Sequence, residues 1–482
     1  MDRVVERKND FQKLNVEKIS QDRHKFAVEL RKSKRKELLQ KRRAPSILIT
    51  TLTLSDTIMD IPEPELFKSL NLDPFTLIQA LHNSENISDY IVTLQKINMQ
   101  ISKSPVSIEE YIKLGLIEIA IPHINANDNF ELKNTAYWII CNIASGPSHC
   151  CERLFEFDII SSIFKELETQ NSELYEVLFW ILGNFIAESP DIFQSIVDKN
   201  FFLITLKCVI QSKIPKTLGI IAWSLKNAAH YDYLLEDNHL DTFTKLAFEI
   251  LEYDSLEIRR LIIESMTILI RKDNEKIDFV IHSQFLYRSI EVWYIKPLHY
   301  HILKLCTNVC SGKNVHIQVL IDLGYLNLLE EVLRSKPNED EIFLVFYSLS
   351  NIAAGGLTQL SALEKHTIFD LSLDGIICQN EKIQSEAAYY VMNYTMQSTR
   401  EAIEELAMKH FLKKIANGFG FAKSNDAIMN LLRAYDKVAR VADKSTLLAE
   451  DCINALNSLQ KHKNSEIYRK SDEILEKYYS FL

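Results

Sequence analysis

The chain has 482 residues, 47% hydrophobic and 25% charged, enough for a large core or a long repeat array. Glycine and proline number only 11 each, under 5% of the chain together, which disfavours turn-rich all-β folds and favours stacked helices. No run of 18 apolar residues occurs, and the opening MDRVVERKND has no apolar core, so neither a membrane-spanning helix nor secretion is expected. Charge is unevenly divided. Residues 1–45 carry 15 Lys/Arg against 7 Asp/Glu, whereas the remainder carries 40 against 58. A basic arm of net +8 thus precedes a body of net −18, and an acidic body calls for a basic partner and repels nucleic acid phosphate.

In chain order, the first element is the basic segment DRHKFAVELRKSKRKELLQKRRAPS, with Phe26, Leu30, Leu38 and Leu39 set among cations. It ends in the cluster Lys41-Arg42-Arg43. By itself it fits a nucleic-acid arm, a membrane-surface helix or a nuclear localisation signal. Its weak apolar face argues against membrane, and the acidic body argues against DNA. A Ser/Thr-containing stretch follows, SILITTLTLSDT, giving an expected organisation of arm 1–45, flexible linker 46–72 and folded body 73–482.

The body begins its repeat at TAYWIICNIASG, where Trp138 and Asn142 stand one helical turn apart. LFWILGNFIAE repeats the pair as Trp180 and Asn184, and IAWSLKNAAH repeats it as Trp223 and Asn227. The interval is 42 or 43 residues. At the next interval ESMTIL, residues 264–269, has neither residue. Then come Lys304 with Asn308, Tyr347 with Asn351, and Tyr389 with Asn393, again at 42–43 residues. A period this regular predicts a solenoid, and 40–47 residues per helical unit is the armadillo/HEAT range. Each long helix is followed by two shorter amphipathic pieces, as in SHCCERLFEF and IISSIFKELE. Three helices per unit is the armadillo plan. Gly115 and Gly324 fall at the turn between the short helices, where Asp158, Asn200 and His239 stand in other units. The expected fold is therefore all-α, a right-handed superhelical solenoid of about ten armadillo repeats carrying a disordered or helical basic N-terminal arm.

Equivalent positions of successive units line up, so the pairs form a ladder. Asn carboxamides offer a donor and an acceptor to the backbone of an extended peptide. Neighbouring indoles make slots for Lys or Arg stems, each contact contributing roughly 0.5–2 kcal/mol. The eight cysteines show no zinc spacing, no disulfide framework and no Cys-x-x-Cys, so reduced thiols are expected. No Gly-rich phosphate loop, metal-ligand cluster or Gly-x-Ser-x-Gly elbow occurs. Catalytic residues, metal ligands and cofactors are therefore not expected.

Together the arm VELRKSKRKELLQKRR, the units YWIICNIASG, FWILGN and AWSLKN, and the terminal INALNSLQKHKNSEIYRKSDEILEKYYSFL resemble importin-α, the nuclear-import adaptor family. The resemblance runs over residues 20–482. It implies that Arg31, Lys32, Lys34, Arg35, Lys36, Lys41, Arg42 and Arg43 form an importin-β-binding, autoinhibitory arm, whose Lys41, Arg42 and Arg43 occupy the groove in the free protein. It implies a major cargo site of Trp138, Asn142, Gly146, Trp180, Asn184, Glu188, Trp223 and Asn227, with the Gly146 carbonyl and Glu188 receiving a cargo lysine. A minor site would comprise Lys304, Asn308, Tyr347, Asn351, Glu386, Tyr389 and Asn393. The implied partners are basic localisation signals of cargo, importin-β, and an export receptor at the C-terminal repeats, for a protein shuttling between cytoplasm and nucleus. Cys151 replaces a Thr of the major site, and Tyr347, Tyr389 and Lys304 replace two Trp and an Arg, which predicts a weakened minor site. The alternatives are a specialised relative with few partners or a catenin-like scaffold; the acidic body counts against the latter.

Overall fold

The computed structural model describes residues 72–480 apart from 104, 127–128, 272, 409–410 and 448–449. The expected arm, 1–45, and the expected linker, 46–72, apart from its last residue, lie outside the described residues. Contacts divide the chain into two compact units, meeting at Ser265/Met266.

The long helices set the period. They are α1 (Ile87–Lys103), α2 (Phe130–Ala144), α3 (Tyr175–Glu188), α4 (Pro215–Ala228), α5 (Leu256–Leu269), α6 (His299–Cys310), α7 (Glu339–Ala353), α8 (Glu381–Gln397), α9 (Asn425–Ala439) and α10 (Ser465–Tyr479). Among the described residues these ten match the expected number of units. In the first unit α1, α2, α3 and α4 pack in sequence; in the second, α6, α7, α8, α9 and α10 do the same.

Why the segments become helices is legible locally. Asn129 accepts the Leu132 N–H at the start of α2, and Ser189 accepts the Ile192 N–H just before a helix opened by Pro190. Asn338 and Glu341 form a reciprocal capping box on α7. The helices bury one side almost completely: Ile139, Ile143, Leu178, Ile181, Leu182 and Phe185 have no exposed surface. Each such side chain contributes about 1.5–3 kcal/mol of burial, so the core is continuous along each unit. Lys133 and Glu166 pair at 2.8 Å beneath the surface, joining α2 to the helix Ile159–Glu168.

Left-handed turns separate the short helices. Gly115 (φ 88°) and Gly324 (φ 81°) adopt it at no Cβ cost, and Asp158, Asn200 and Gln284 adopt it at the same place in their units. His239 does not. After α4 the chain forms a 3₁₀ turn, Ala229–Leu234, and then one helix, Asp237–Leu251, with His239 inside its first turn. The His239 ring accepts the Glu236 N–H at 3.3 Å, so this side chain caps a helix start rather than closing a helix end. Among the described residues, no helix is long and apolar enough to cross a membrane.

Candidate functional site

The helical register carries the ladder residues to one face of each long helix. In the first unit Trp138, Trp180 and Trp223 are half-buried, while Asn142, Asn184 and Asn227 are 8%, 8% and 5% exposed. The Trp138 and Trp180 ring centroids lie 6.3 Å apart in an edge-to-face arrangement. Gly183 seats the third indole. A Cβ there would lie 2.2 Å from Trp223 Cζ3, so only glycine lets the Trp223 ring rest on the backbone of α3. A glycine inside a helix costs roughly 0.5–1 kcal/mol relative to alanine, and close approach of the indole is what that cost serves.

Three of the asparagines, Asn227, Asn308 and Asn393, tie one repeat to the next in the same way. Asn227 Nδ2 points to the Gly183 carbonyl at 3.5 Å, one residue before Asn184. Asn308 Nδ2 donates to Thr267 O at 2.9 Å, and Asn393 Nδ2 to Ser350 O, one residue before Asn351, at 3.0 Å. These three carboxamides reach the carbonyl just before the equivalent position of the preceding long helix. The ladder therefore has a structural role.

The register reveals rungs that residue type hides. Asn142 Nδ2 donates to Asn98 Oδ1 at 2.7 Å, making Asn98 on α1 a rung that the Trp/Asn pattern misses. The Asn308–Thr267 bond assigns Glu264 to the aromatic position of α5 and Ile268 to its asparagine position. Glu264 is held by Lys226 of α4 and, at 2.9 Å, by Arg260. Asp436 and Tyr478 take the asparagine position on α9 and α10, at steps of 43 and 42 residues. There the Tyr478 hydroxyl donates to Asp436 Oδ1 at 2.8 Å, with Arg440, Lys470 and Lys477 on the same carboxylate at 3.2, 3.0 and 3.3 Å. Burial raises the Asp436 carboxyl, but the bonds from Tyr478, Lys470 and Arg440 outweigh it and hold the group well below the ordinary carboxylate range. Counting the period forward from Asn393 reaches Asp436 and Tyr478, whereas Asn98 and Glu264 stand a residue or two off the 42–43-residue step.

The other expected residues are placed as follows. Gly146 is buried just past α2, its N–H on Ile143 O at 2.9 Å. Cys151 is fully buried and its thiol donates to Ala144 O at 2.9 Å, so it braces the end of α2. Glu188 ends α3, half-buried. In the second unit Lys304 is exposed, its ammonium 5.9 Å from the Tyr300 ring. Tyr347, Tyr389, Asn308, Asn351 and Asn393 are half-buried. Asn351 Nδ2 turns back to its own helix at Tyr347 O, 3.0 Å, and Glu386 accepts from the Ser350 hydroxyl at 3.3 Å.

The first unit differs in its central rung. Trp180 Nε1 and Asn184 Nδ2 are shielded donors with no acceptor in range, and a buried donor without a partner costs about 1–3 kcal/mol. A chain laid along this rung with carbonyls facing it would supply acceptors. The 6.3 Å indole spacing is close to two residues of extended chain, about 6.6 Å. Alternate side chains of such a peptide would meet successive slots.

Known proteins resemble parts of this chain. Residues 7–95 match the importin beta binding domain family. The chain is 25% identical over 200 residues to importin subunit alpha-2 of Arabidopsis thaliana, covering 42% of this chain and 37% of that protein. It is 22% identical over 365 residues to importin subunit alpha-1a of Oryza sativa subsp. japonica, covering 75% and 68%. The matched segments thus span less than two-fifths of the Arabidopsis relatives alpha-2 and alpha-5. Among solved structures, an engineered protein aligns with TM-score 0.67 at 17% identity, covering 84% of this chain and 98% of the other. A chain from work on a phosphorylation switch in the cadherin–beta-catenin interaction aligns with TM-score 0.60 at 10% identity, covering 84% and 83%. These likenesses establish an all-α armadillo solenoid.

Proposed function

We propose that this chain, a divergent member of the importin-α family, is a nuclear import adaptor that takes Lys/Arg-rich peptides in extended form along its first-unit ladder. The observation that carries the reading is the central rung, where Trp180 and Asn184 hold two shielded donors without acceptors beside paired indoles. Peptide carbonyls satisfy the donors, and basic stems lie between the rings with their charges toward Glu188 and the Gly146 carbonyl. The second-unit residues Lys304, Asn308, Tyr347, Asn351, Glu386, Tyr389 and Asn393 serve as a weaker second site. A phenol offers a smaller cation-attracting face than an indole.

The match at residues 7–95 supports capture of the arm by importin-β. In the free chain Lys41, Arg42 and Arg43 act as an internal competitor, since a short tether gives an effective concentration in the mM range. Binding of importin-β removes that competitor, cargo enters, and the adaptor moves between cytoplasm and nucleus, with an export receptor acting at the C-terminal repeats.

Titrating a fluorescent single-cluster basic peptide into the full chain, with and without the triple change of Lys41, Arg42 and Arg43 to Ala, tests the scheme. The account expects micromolar or tighter binding that strengthens when the arm is neutralised. Binding that is absent in both forms would refute the groove, and equal binding would refute the internal competition.

A further inference from the structure

The first unit contains an ion cluster on its ladder face that the proposed function does not use. Lys226 directly precedes Asn227 on α4, and its ammonium is paired with the Glu264 carboxylate on α5. The two side chains are only 21% and 20% exposed. Arg260 bonds the other Glu264 oxygen at 2.9 Å and clamps Glu257 at 2.7 and 3.2 Å. By register Glu264 occupies the position that Trp138, Trp180 and Trp223 hold on the preceding three helices. The carboxylate of the fifth rung is thus matched to a lysine that the protein itself provides.

We infer that Lys226 is a specificity-determining residue that closes the fifth rung to basic peptides and limits the first-unit site to the rungs of α2, α3 and α4. The inference rests on the reading of the ladder as a basic-peptide groove. A fourth basic side chain, two residues beyond a cluster that fills the three slots, would reach Glu264 only by displacing Lys226. Its own charge gains nothing from that exchange, because one ammonium replaces another on the same carboxylate. A peptide with an extra basic residue therefore binds the native chain no more tightly than the shorter one. With Lys226→Met the stem remains but the ammonium is gone, and the Glu264 oxygen it held becomes available to the incoming cation while Arg260 stays on the other.

The test compares three synthetic peptides on the full chain at 0.15 M salt, where charges more than about 8 Å away are screened. One peptide has a three-slot lysine cluster; the other two add a single lysine two residues beyond its N-terminal or C-terminal end. On the native chain all three should bind alike. In Lys226→Met one of the two extended peptides should gain about fivefold, the size of a partly shielded ion pair, with the short peptide unchanged. Adding Glu264→Gln to that variant should remove the gain. No gain for either extended peptide, or an equal gain for all three, would overturn the inference while leaving the groove intact. Failure of the short peptide to bind the native chain would instead overturn the groove reading, and the inference with it. The short peptide's affinity also reports whether the variants are folded.

Discussion

The two units build the same ladder with different polar economy. In the first, the aromatic positions of α2, α3 and α4 are tryptophan and their asparagines are nearly buried; Asn142 donates to Asn98 at 2.7 Å, yet the Asn184 amide has no acceptor and the Asn227 bond is long at 3.5 Å. In the second, Asn308, Asn351 and Asn393 all donate to backbone carbonyls at 2.9–3.0 Å, and the aromatic positions hold Lys304, Tyr347 and Tyr389. A carboxamide already committed to its own solenoid has less to offer a ligand. The first unit leaves one ladder amide without an acceptor; in the second, Asn308 and Asn393 tie neighbouring helices and Asn351 bonds within its own. Fewer tryptophans is only the visible half of that difference.

The sharpest way to break the comparison is to remove the central rung. Trp180→Ala with Asn184→Ala should weaken a single-cluster lysine peptide by about 100-fold or more in fluorescence anisotropy, as loss of an anchor pair does. Retained affinity would mean that the ladder of the first unit is structural only. A second route acts indirectly. Gly183→Ala forces a Cβ into the Trp223 ring, so urea unfolding should show a loss of about 1–3 kcal/mol. Peptide affinity should fall as well, because the third slot moves; an unchanged affinity would take Trp223 out of the site.

The second unit should respond less. Tyr389→Ala should cost a two-cluster peptide about two- to threefold and leave a single-cluster peptide unaffected, consistent with a cation–π contact near 0.5 kcal/mol. An effect as large as that of the Trp180/Asn184 pair would erase the distinction between the units. At its C-terminal end the ladder is closed by Asp436. A carboxyl held low in the folded state stabilises fully above its unfolded value near 3.8, and that contribution is lost as pH falls below it. The gap in stability between the native chain and Asp436→Asn should therefore be about 2 kcal/mol at neutral pH and should shrink below about pH 4. A gap independent of pH would mean that packing, not charge, makes the contribution.

Much of this was readable from the amino-acid order alone. The 42-residue period and the Trp/Asn pairs are conspicuous because few residue types combine a cation-binding face with a two-way hydrogen-bonding edge. Asn98 was missed because Leu94, not an aromatic residue, stands four before it, and Asp436 and Tyr478 because their residue types depart from the pattern while their register keeps it; counting reached Glu264 but could not show its partners. His239 was misplaced for a related reason: a polar residue near a turn can close one helix or open the next, and only the backbone decides. Nor could the sequence show where each carboxamide donates, which is what separates the units. The partnership of Lys226 with Glu264, 38 residues apart, depends on the packing of α4 against α5 and has no local signature.

The central claim is that the first-unit ladder receives the basic peptide, and photocrosslinking tests it without altering the protein. A single-cluster lysine peptide carrying one photoreactive residue between its lysines would be bound to the full chain, irradiated, digested and mapped by mass spectrometry. Crosslinks should concentrate on α2, α3 and α4 and be competed by unlabelled peptide. Crosslinks confined to the second unit, or spread without competition over both, would contradict it.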